Sequence, residues 1–253
     1  MYYPNNCIGC RKCLAVCEAR AIDFELPERV DRGKCSNCGK CAQVCYAESL
    51  VMAGQEKTVE DVLYTLKKDN VFYRNSGGGI TFSGGEPLIQ HVFLEELLKG
   101  CKDNGWHNAV ETTGYTTKKI LGRILPLLDL VLLDIKHMQS ERHKKTIGVS
   151  NEIILENAEF IANSGTRLII RVPVIPGYND DPENIRATAG FAASLGGVRE
   201  LHLLPYHRLG QEKYGYLYRA YPYEGIIPPP RTDVEKLKTV VESYGLDCSI
   251  GGS

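Results

Sequence analysis

Two cysteine runs of identical spacing dominate the sequence. Residues 7–17 read CIGCRKCLAVC, and residues 35–45 read CSNCGKCAQVC. Each run has the pattern C-x2-C-x2-C-x3-C, and together they contain eight of the ten cysteines of the chain. An internal duplication of this kind predicts a small module that is organised by whatever its thiols bind.

Three kinds of cysteine site compete for this pattern. Disulfides need an oxidising compartment, and the N-terminal MYYPNNCIGC carries no export signal. Structural zinc prefers two separated C-x2-C pairs around one ion. A cubane [4Fe–4S] cluster takes three closely spaced cysteines from one loop, and in two-cluster ferredoxins the fourth comes from the other run. The spacing favours two such clusters, with these ligand sets: Cys7, Cys10, Cys13 and Cys45; and Cys35, Cys38, Cys41 and Cys17.

The charge and the apolar runs exclude several classes of partner. The chain of 253 residues has 30 Lys and Arg against 31 Asp and Glu, a formal net charge of −1. This balance gives no electrostatic basis for nucleic-acid binding. The longest apolar segments are interrupted by Asp129, Asp134 and Arg171, so none is long enough to cross a bilayer. We expect a cytoplasmic protein that binds neither nucleic acid nor membrane.

From Thr58 onward the sequence alternates between helical and strand patterns. About five strands are continuous apolar runs, and LDCSI near the C-terminus is a possible last one. Such alternation predicts an α/β fold whose parallel sheet is buried on both faces. The strands are too few for a closed eight-stranded barrel, so an open or partial barrel is expected. The predicted domains are a cysteine module at 1–52 and the α/β domain at 53–253, and the alternating residues 21–25 predict a short strand in the module.

Polar residues cluster where these strands end, which is the edge that carries the ligand site in parallel α/β folds. Arg171 interrupts a buried strand, so its guanidinium needs either an anionic ligand or a nearby acid. Each candidate also has an ordinary structural interpretation. The Gly84-Gly85-Glu86 string fits a plain turn, Glu111 a capping acid, Asp134 with Lys136 an ion pair, and His207 a core histidine.

Taken together, the motifs resemble one known family. The strings GGGITFSGGEPL, ETTGY, DLVLLDIKHM, RVPVIPGYND and LHLLPYHRLGQEKY, with the paired cysteine runs, are similar to those of glycyl-radical enzyme activating enzymes. These enzymes are a branch of the radical S-adenosylmethionine superfamily, and the resemblance covers essentially the whole chain. It implies a partial (β/α)6 barrel, here missing its first strand, with an N-terminal ferredoxin-like module that holds two [4Fe–4S] clusters.

The resemblance also implies a site for S-adenosylmethionine. The glycine-rich string would lie against the amino group of the methionine part, and His207 would reach the adenosine side. Glu111 stands where relatives often have an aspartate that, with Asp134, helps to hold a monovalent cation. The residues implied at this site are Gly84, Gly85, Glu86, Glu111, Asp134, Ile135, Lys136, Arg171 and His207.

The activity implied by the resemblance is the formation of a glycyl radical on a partner enzyme. A cluster with one open iron reduces S-adenosylmethionine to a 5′-deoxyadenosyl radical, which takes a hydrogen atom from a backbone glycine of the partner. The two ferredoxin-like clusters would relay electrons to this third cluster. By analogy with the family, the electron donor would be a flavodoxin or a ferredoxin.

One motif of the family has no counterpart in these 253 residues. The third cluster needs cysteines in C-x3-C-x2-C spacing, and neither cysteine run continues in this way. The isolated Cys101 and Cys248 are expected to be buried thiols. Three explanations are open: N-terminal truncation, which we favour because the strand-end motifs are intact, division of the enzyme between two chains, or loss of catalysis. The last would leave a non-catalytic iron–sulfur electron-transfer protein.

The missing spacing predicts the behaviour of this polypeptide on its own. After anaerobic reconstitution, incubation with dithionite and S-adenosylmethionine should yield no 5′-deoxyadenosine. The cluster that reduces S-adenosylmethionine is held by three cysteines in C-x3-C-x2-C spacing, and the 253 residues do not contain this spacing. Product analysis by liquid chromatography tests this expectation. Formation of 5′-deoxyadenosine by the 253-residue chain would contradict it.

Overall fold

The computed structural model describes residues 1–251, which form two compact units. None of the helices in this range has the length and apolar character needed to span a membrane. The strands are β1 Gly79–Phe82, β2 His107–Thr112, β3 Leu130–Asp134, β4 Arg167–Val174, β5 Glu200–Pro205 and β6 Asp247–Ile250. The α-helices are α1 Lys12–Ala15, α2 Lys40–Gln43, α3 Val59–Leu66, α4 Asn70–Ser76, α5 His91–Asp103, α6 Lys118–Ile124, α7 Ser140–Ile147, α8 Glu152–Asn163, α9 Pro182–Ser194, α10 Gln211–Tyr216 and α11 Arg231–Glu242.

The first unit contains Met1–Glu56 together with His207–Ile226. Sequence analysis ended this module at residue 52 and placed 207–226 in the α/β domain. The structure groups 207–226 with the cysteine module because aromatic rings pack between the two segments. The ring of Tyr3 lies 4.5 Å from that of Tyr216, and the ring of Tyr2 stacks 6.4 Å from that of Tyr218.

The two cysteine runs fold in the same way within the first unit. Each forms one short helix, α1 or α2, that follows a residue in the left-handed conformation, Arg11 (φ 57°) or Gly39 (φ 77°). The strand expected at 21–25 is reduced to a single antiparallel bridge between Ile22 and Val30. The extended segment stops there because the Asp23 carboxylate accepts a hydrogen bond from the Glu25 amide at 2.8 Å and turns the chain.

The second unit contains Lys57–Tyr206 and the chain from Ile227 onward, and its centre is one parallel sheet. Within the described residues the sheet has six strands in the order β1-β2-β3-β4-β5-β6. The predicted α/β class and the predicted strands are confirmed. Consecutive strands are neighbours, so all their carboxyl ends lie at one edge of the sheet.

Local sequence signals explain most of the helices. Where these signals are weak, the helix was not predicted. Thr58 caps α3 in a reciprocal capping box with Asp61, as the Thr and acidic residues indicate. Helices α1, α2, α4, α7 and α10 were not predicted. Helix α7 has the polar sequence SERHKKTI, in which His143 is the buried residue, so it lacks the apolar periodicity of a core-facing helix.

A close approach of two strands gives a stability prediction. A Cβ on Gly79 would lie 2.0 Å from the main-chain oxygen of His107 on the neighbouring strand. We therefore expect Gly79→Ala to lower the free energy of unfolding by about 1–3 kcal/mol, because strand backbones cannot separate without losing their pairing.

The matched control is Gly122→Ala in α6, where the added Cβ would meet nothing within 4 Å. Alanine is the better helix former, so this variant should gain up to about 1 kcal/mol. Thermal denaturation followed by circular dichroism measures both. Equal melting temperatures for Gly79→Ala and the parent protein would contradict the close approach of β1 and β2.

Candidate functional site

Two cavities in the first unit are each lined by one predicted cysteine set. Residues Tyr2, Phe24 and Arg29 line the first cavity with one set of four: Cys7, Cys10, Cys13 and Cys45. The other set lines the second cavity: Cys17, Cys35, Cys38 and Cys41. In each cavity three thiols come from one run and the fourth from the other. All eight thiols are free of disulfides.

The thiols of each set stand around the wall of a cavity. Within residues 1–251, no three His, Cys, Asp or Glu side chains lie close enough together to hold a single metal ion. A tetrahedral zinc site draws its four ligands to one point, whereas the ligands of a cubane cluster approach its separate corners. Thiols around a wall fit the second geometry.

Electrostatics explains why these cavities need a positive group. Burial raises the pKa of the Cys41 thiol, and the charges of Cys35, Cys17 and Cys38 raise it further. Burial likewise raises the pKa of Cys13, with additional repulsion from Cys45 and Cys41. The pKa of Cys7 is instead lowered, chiefly by a hydrogen bond from the Gly9 amide. Thiolates at Cys41 and Cys13 are therefore unfavourable by themselves, and coordinated iron would supply positive charge that stabilises them.

A third cavity lies in the second unit, at the carboxyl ends of β1, β2 and β3. It is lined by three of the residues predicted for the site, Glu86, Asp134 and Lys136. Two of the other polar lining residues, Thr113 and Tyr115, belong to the ETTGY string, and the third, His143, was not predicted from the sequence. His143 lies nine residues after Asp134, in the short polar helix α7, where it is the buried residue. Its closeness in sequence to the end of β3 is the signal that could have indicated it.

Glu86 joins the loop after β1 to the end of β2. Its Oε1 accepts hydrogen bonds from Thr112 Oγ1 at 2.7 Å and from the Leu88 amide at 3.2 Å. Its Oε2 accepts from the Thr113 amide at 2.8 Å and from Thr113 Oγ1 at 2.7 Å. Both oxygens have thus used their acceptor sites. Glu86 therefore fixes the loop after β1 to the end of β2.

The two glycines before Glu86 leave that main chain open. A Cβ on Gly84 or Gly85 would meet nothing within 4 Å. Gly84 also has φ 135°, a conformation that favours glycine. The space above the loop is therefore accessible to a ligand, and a side chain at either position would project into it.

Arg171 connects the ends of β2, β3 and β4 through ion pairs. Its Nη1 donates to Glu111 at 2.7 Å, and its Nε donates to Asp134 Oδ1 at 3.0 Å. Asp134 Oδ2 accepts in turn from Lys136 Nζ at 3.0 Å. The anionic partner predicted for Arg171 is thus a pair of nearby acids, and its guanidinium is the cation that lies between Glu111 and Asp134. The monovalent-cation role that the resemblance implies stays a prediction.

Burial makes this ion-pair network important to the fold. The Arg171 side chain is 13% exposed and that of Asp134 is 17% exposed. Burial alone would lower the pKa of the guanidinium, but Asp134 and Glu111 outweigh it and the pKa of Arg171 is raised. The buried amide of Asn179 orders the same edge, because its Nδ2 donates to the main-chain oxygens of Lys136 and Pro173.

The remaining predicted residues lie outside the third cavity. The Ile135 side chain packs in the hydrophobic core, and its amide donates to the Arg171 main-chain oxygen. His207 is exposed and begins the second segment of the first unit. Cys101 and Cys248 are buried thiols, as predicted, and burial raises the pKa of each to about 11, so both stay protonated.

Comparison with known proteins places this geometry in a family. The family model of the Radical SAM superfamily matches residues 36–189, and the family model of the 4Fe-4S dicluster domain matches residues 6–49. The 4-hydroxyphenylacetate decarboxylase activating enzyme of Clostridioides difficile is 36% identical over 96% of this chain and 78% of its own length. The indoleacetate decarboxylase activating enzyme of Tractidigestivibacter scatoligenes is 37% identical over 99% of this chain and 82% of its own.

The chain belongs to the glycyl-radical enzyme activating enzymes. These radical S-adenosylmethionine enzymes are oxidoreductases that use S-adenosylmethionine and iron–sulfur clusters to generate a glycyl radical on another enzyme. A crystal structure of a domain of a pyruvate-formate lyase-activating enzyme from Bacteroides vulgatus agrees with the fold. It is 35% identical, has a TM-score of 0.59, and covers 69% of this chain and 99% of that domain.

The ion-pair network of this activating enzyme gives a stability prediction. Arg171→Met removes the cation between Glu111 and Asp134, leaving partly buried carboxylates together, so it should lower the free energy of unfolding by about 3–5 kcal/mol. The control is Arg167→Met on the same strand, where the Arg side chain is 59% exposed and pairs with Glu200. This change should cost about 1 kcal/mol or less. Chemical denaturation compares the variants, and equal losses would contradict the role of Arg171.

Proposed function

We propose that this chain binds S-adenosylmethionine at the carboxyl edge of its sheet and takes part in activating a glycyl-radical enzyme. The observation that carries the proposal is the convergence of Glu86, Asp134 and Lys136 on one cavity at that edge. The family membership supplies the chemistry: reductive cleavage of bound S-adenosylmethionine provides a radical that abstracts hydrogen from a glycine. The residues of this chain would bind and orient S-adenosylmethionine, and they would hold the clusters that supply electrons.

Each strand end has a different task in this proposal. The open main chain at Gly84 and Gly85 accepts hydrogen bonds from the ligand amino group, while Glu86 holds the loop in place. Lys136 lines the cavity with its side chain 24% exposed, and its positive charge suits a ligand carboxylate. Arg171 and Asp134 keep Lys136 in position. Ile135, Glu111 and His207 remain proposed contacts on the family resemblance.

The two cysteine cavities are proposed to hold two [4Fe–4S] clusters that pass electrons. Iron–sulfur clusters and S-adenosylmethionine belong to the family, and the count of two follows from the two lined cavities. A flavodoxin or a ferredoxin is the proposed electron donor. Free thiols of this kind persist in a reducing compartment, so we propose a cytoplasmic location.

The proposed protein substrate is a glycyl-radical enzyme. The relatives named above activate 4-hydroxyphenylacetate decarboxylase and indoleacetate decarboxylase. A loop of the partner would have to present its glycine at the cavity.

A second candidate function also follows from the cysteine spacing. Intact cysteine sets without the C-x3-C-x2-C spacing also suit a non-catalytic iron–sulfur electron-transfer protein. The two functions differ at the strand-end cavity. An electron carrier has no use for S-adenosylmethionine, whereas a retained activating-enzyme site binds it.

Equilibrium dialysis with labelled S-adenosylmethionine tests the proposal on the anaerobically reconstituted chain. We expect saturable binding that weakens by about tenfold or more in Gly85→Val, because the added side chain fills the open space above the loop. Asp134→Ala should also weaken binding, since it releases Lys136. Gly196→Val is the matched control, because its Cβ likewise meets nothing within 4 Å and it lies before β5, at the opposite edge.

The outcomes separate the two functions. The activating-enzyme site is supported if the parent chain binds S-adenosylmethionine saturably and Gly85→Val weakens this binding. The affinity of Gly196→Val should then stay within about twofold of the parent's. The absence of binding by the parent chain would overturn the proposed site and favour the electron carrier. Equal binding by Gly85→Val and the parent would also overturn it.

A further inference from the structure

Arg29 occupies an unusual place between the two cysteine runs. It lines the first cavity together with Cys7, Cys10, Cys13 and Cys45. Its backbone has φ 63°, a left-handed conformation that few residues other than glycine adopt. The next residue, Val30, is held in the bridge to Ile22. The turn therefore fixes the point from which the Arg29 side chain enters the cavity wall.

Aromatic rings hold the Arg29 guanidinium in one orientation. Its central carbon lies 3.9 Å from the ring centroid of Phe24 and 5.2 Å from that of Tyr2. Its Nη2 donates a hydrogen bond to the Tyr2 hydroxyl at 3.0 Å. Tyr2 and Phe24 line the same cavity. The guanidinium is thus fixed at the cavity by cation–π contacts and one hydrogen bond.

Two of its donor atoms have no partner in the described part of the chain. Arg29 Nε and Nη1 are shielded from solvent and make no hydrogen bond there. A buried N–H without an acceptor costs about 1–3 kcal/mol, and more when the group is charged. No carboxylate pairs with Arg29 among the ion pairs of residues 1–251. Burial would lower the pKa of Arg29, but the hydrogen bond to Tyr2 and the nearby Tyr2, Cys7 and Cys13 groups raise it.

We propose that Arg29 donates N–H···S hydrogen bonds to the iron–sulfur cluster held by the first cysteine set and raises the reduction potential of that cluster. A [4Fe–4S] cluster with four thiolates gains a negative charge when it takes up an electron. A fixed cation with N–H donors at the sulfur atoms stabilises this reduced form more than the oxidised form.

The second cavity offers the comparison. It is lined by two basic side chains, Arg32 and Lys40, which are both exposed, and by Met1, whose ammonium group donates to the Val51 main-chain oxygen at 2.6 Å. An exposed cation is screened by water and acts weakly on a nearby charge. Arg29 differs from Arg32 because aromatic rings fix it and two of its shielded donors have no partner in the described part of the chain. Arg32 is therefore the matched control for Arg29.

This inference rests on the two-cluster proposal above, and one redox experiment separates the two. The anaerobically reconstituted full chain is titrated with dithionite, and the midpoint potential of each cluster signal is followed by electron paramagnetic resonance. The signal of the first set is assigned as the one that Cys10→Ser alters. The variants are Arg29→Met, Arg29→Gln, which keeps N–H donors without the charge, and Arg32→Met as the matched control.

We expect Arg29→Met to lower the midpoint of the first-set cluster and to leave the second unchanged, with a smaller decrease in Arg29→Gln. Arg32→Met should not shift the first-set signal. An unchanged first-set midpoint in Arg29→Met, or an equal shift in Arg32→Met, would overturn the role of Arg29. If Arg29→Met does not bind the first cluster, the midpoint of the first-set signal in Arg29→Gln is used instead. An unchanged midpoint in that variant would likewise overturn the role of Arg29. A parent chain with only one cluster signal would overturn the two-cluster proposal instead.

Discussion

The mutual repulsion of closely placed thiolates is the constraint on which the first unit depends. Four thiols line each of two cavities, and burial together with neighbouring cysteines raises the pKa of one thiol in each, Cys41 and Cys13. A bound iron–sulfur cluster would relieve this conflict, because its irons would supply positive charge and its four corners would match ligands that surround a wall. The buried core of this unit is small, with Tyr2, Ile22, Val30 and Leu50. Cluster binding would therefore contribute to its folding.

The second unit solves a different electrostatic problem at the carboxyl edge of its sheet. Parallel strands bring Glu111, Asp134 and Arg171 to one place, and together with Lys136 the two acids and two cations balance within the chain. Glu86 is likewise satisfied by the threonines at the end of β2. The edge is thus ordered by its own hydrogen bonds and ion pairs. Such ordering before any ligand arrives is typical of preorganised binding sites.

The sequence predicted what local patterns encode. The apolar runs located the six strands, and the cysteine spacing indicated the two sets that line the cavities. Contacts between distant segments were not accessible in this way. The packing of Tyr216 and Tyr218 on the N-terminal tyrosines moved 207–226 into the first unit, and no periodicity signals such a contact. The hydrogen bonds that use up the Glu86 oxygens also depend on tertiary structure, so the glycine-rich string alone did not indicate them.

The central claim is that the two cysteine cavities hold cubane clusters, and metal and sulfide analysis of anaerobically purified protein tests it most directly. Our account predicts a brown protein with about eight irons and about eight acid-labile sulfides per chain, since each cubane contains four of each. Colourless protein that contains zinc and no labile sulfide would contradict it.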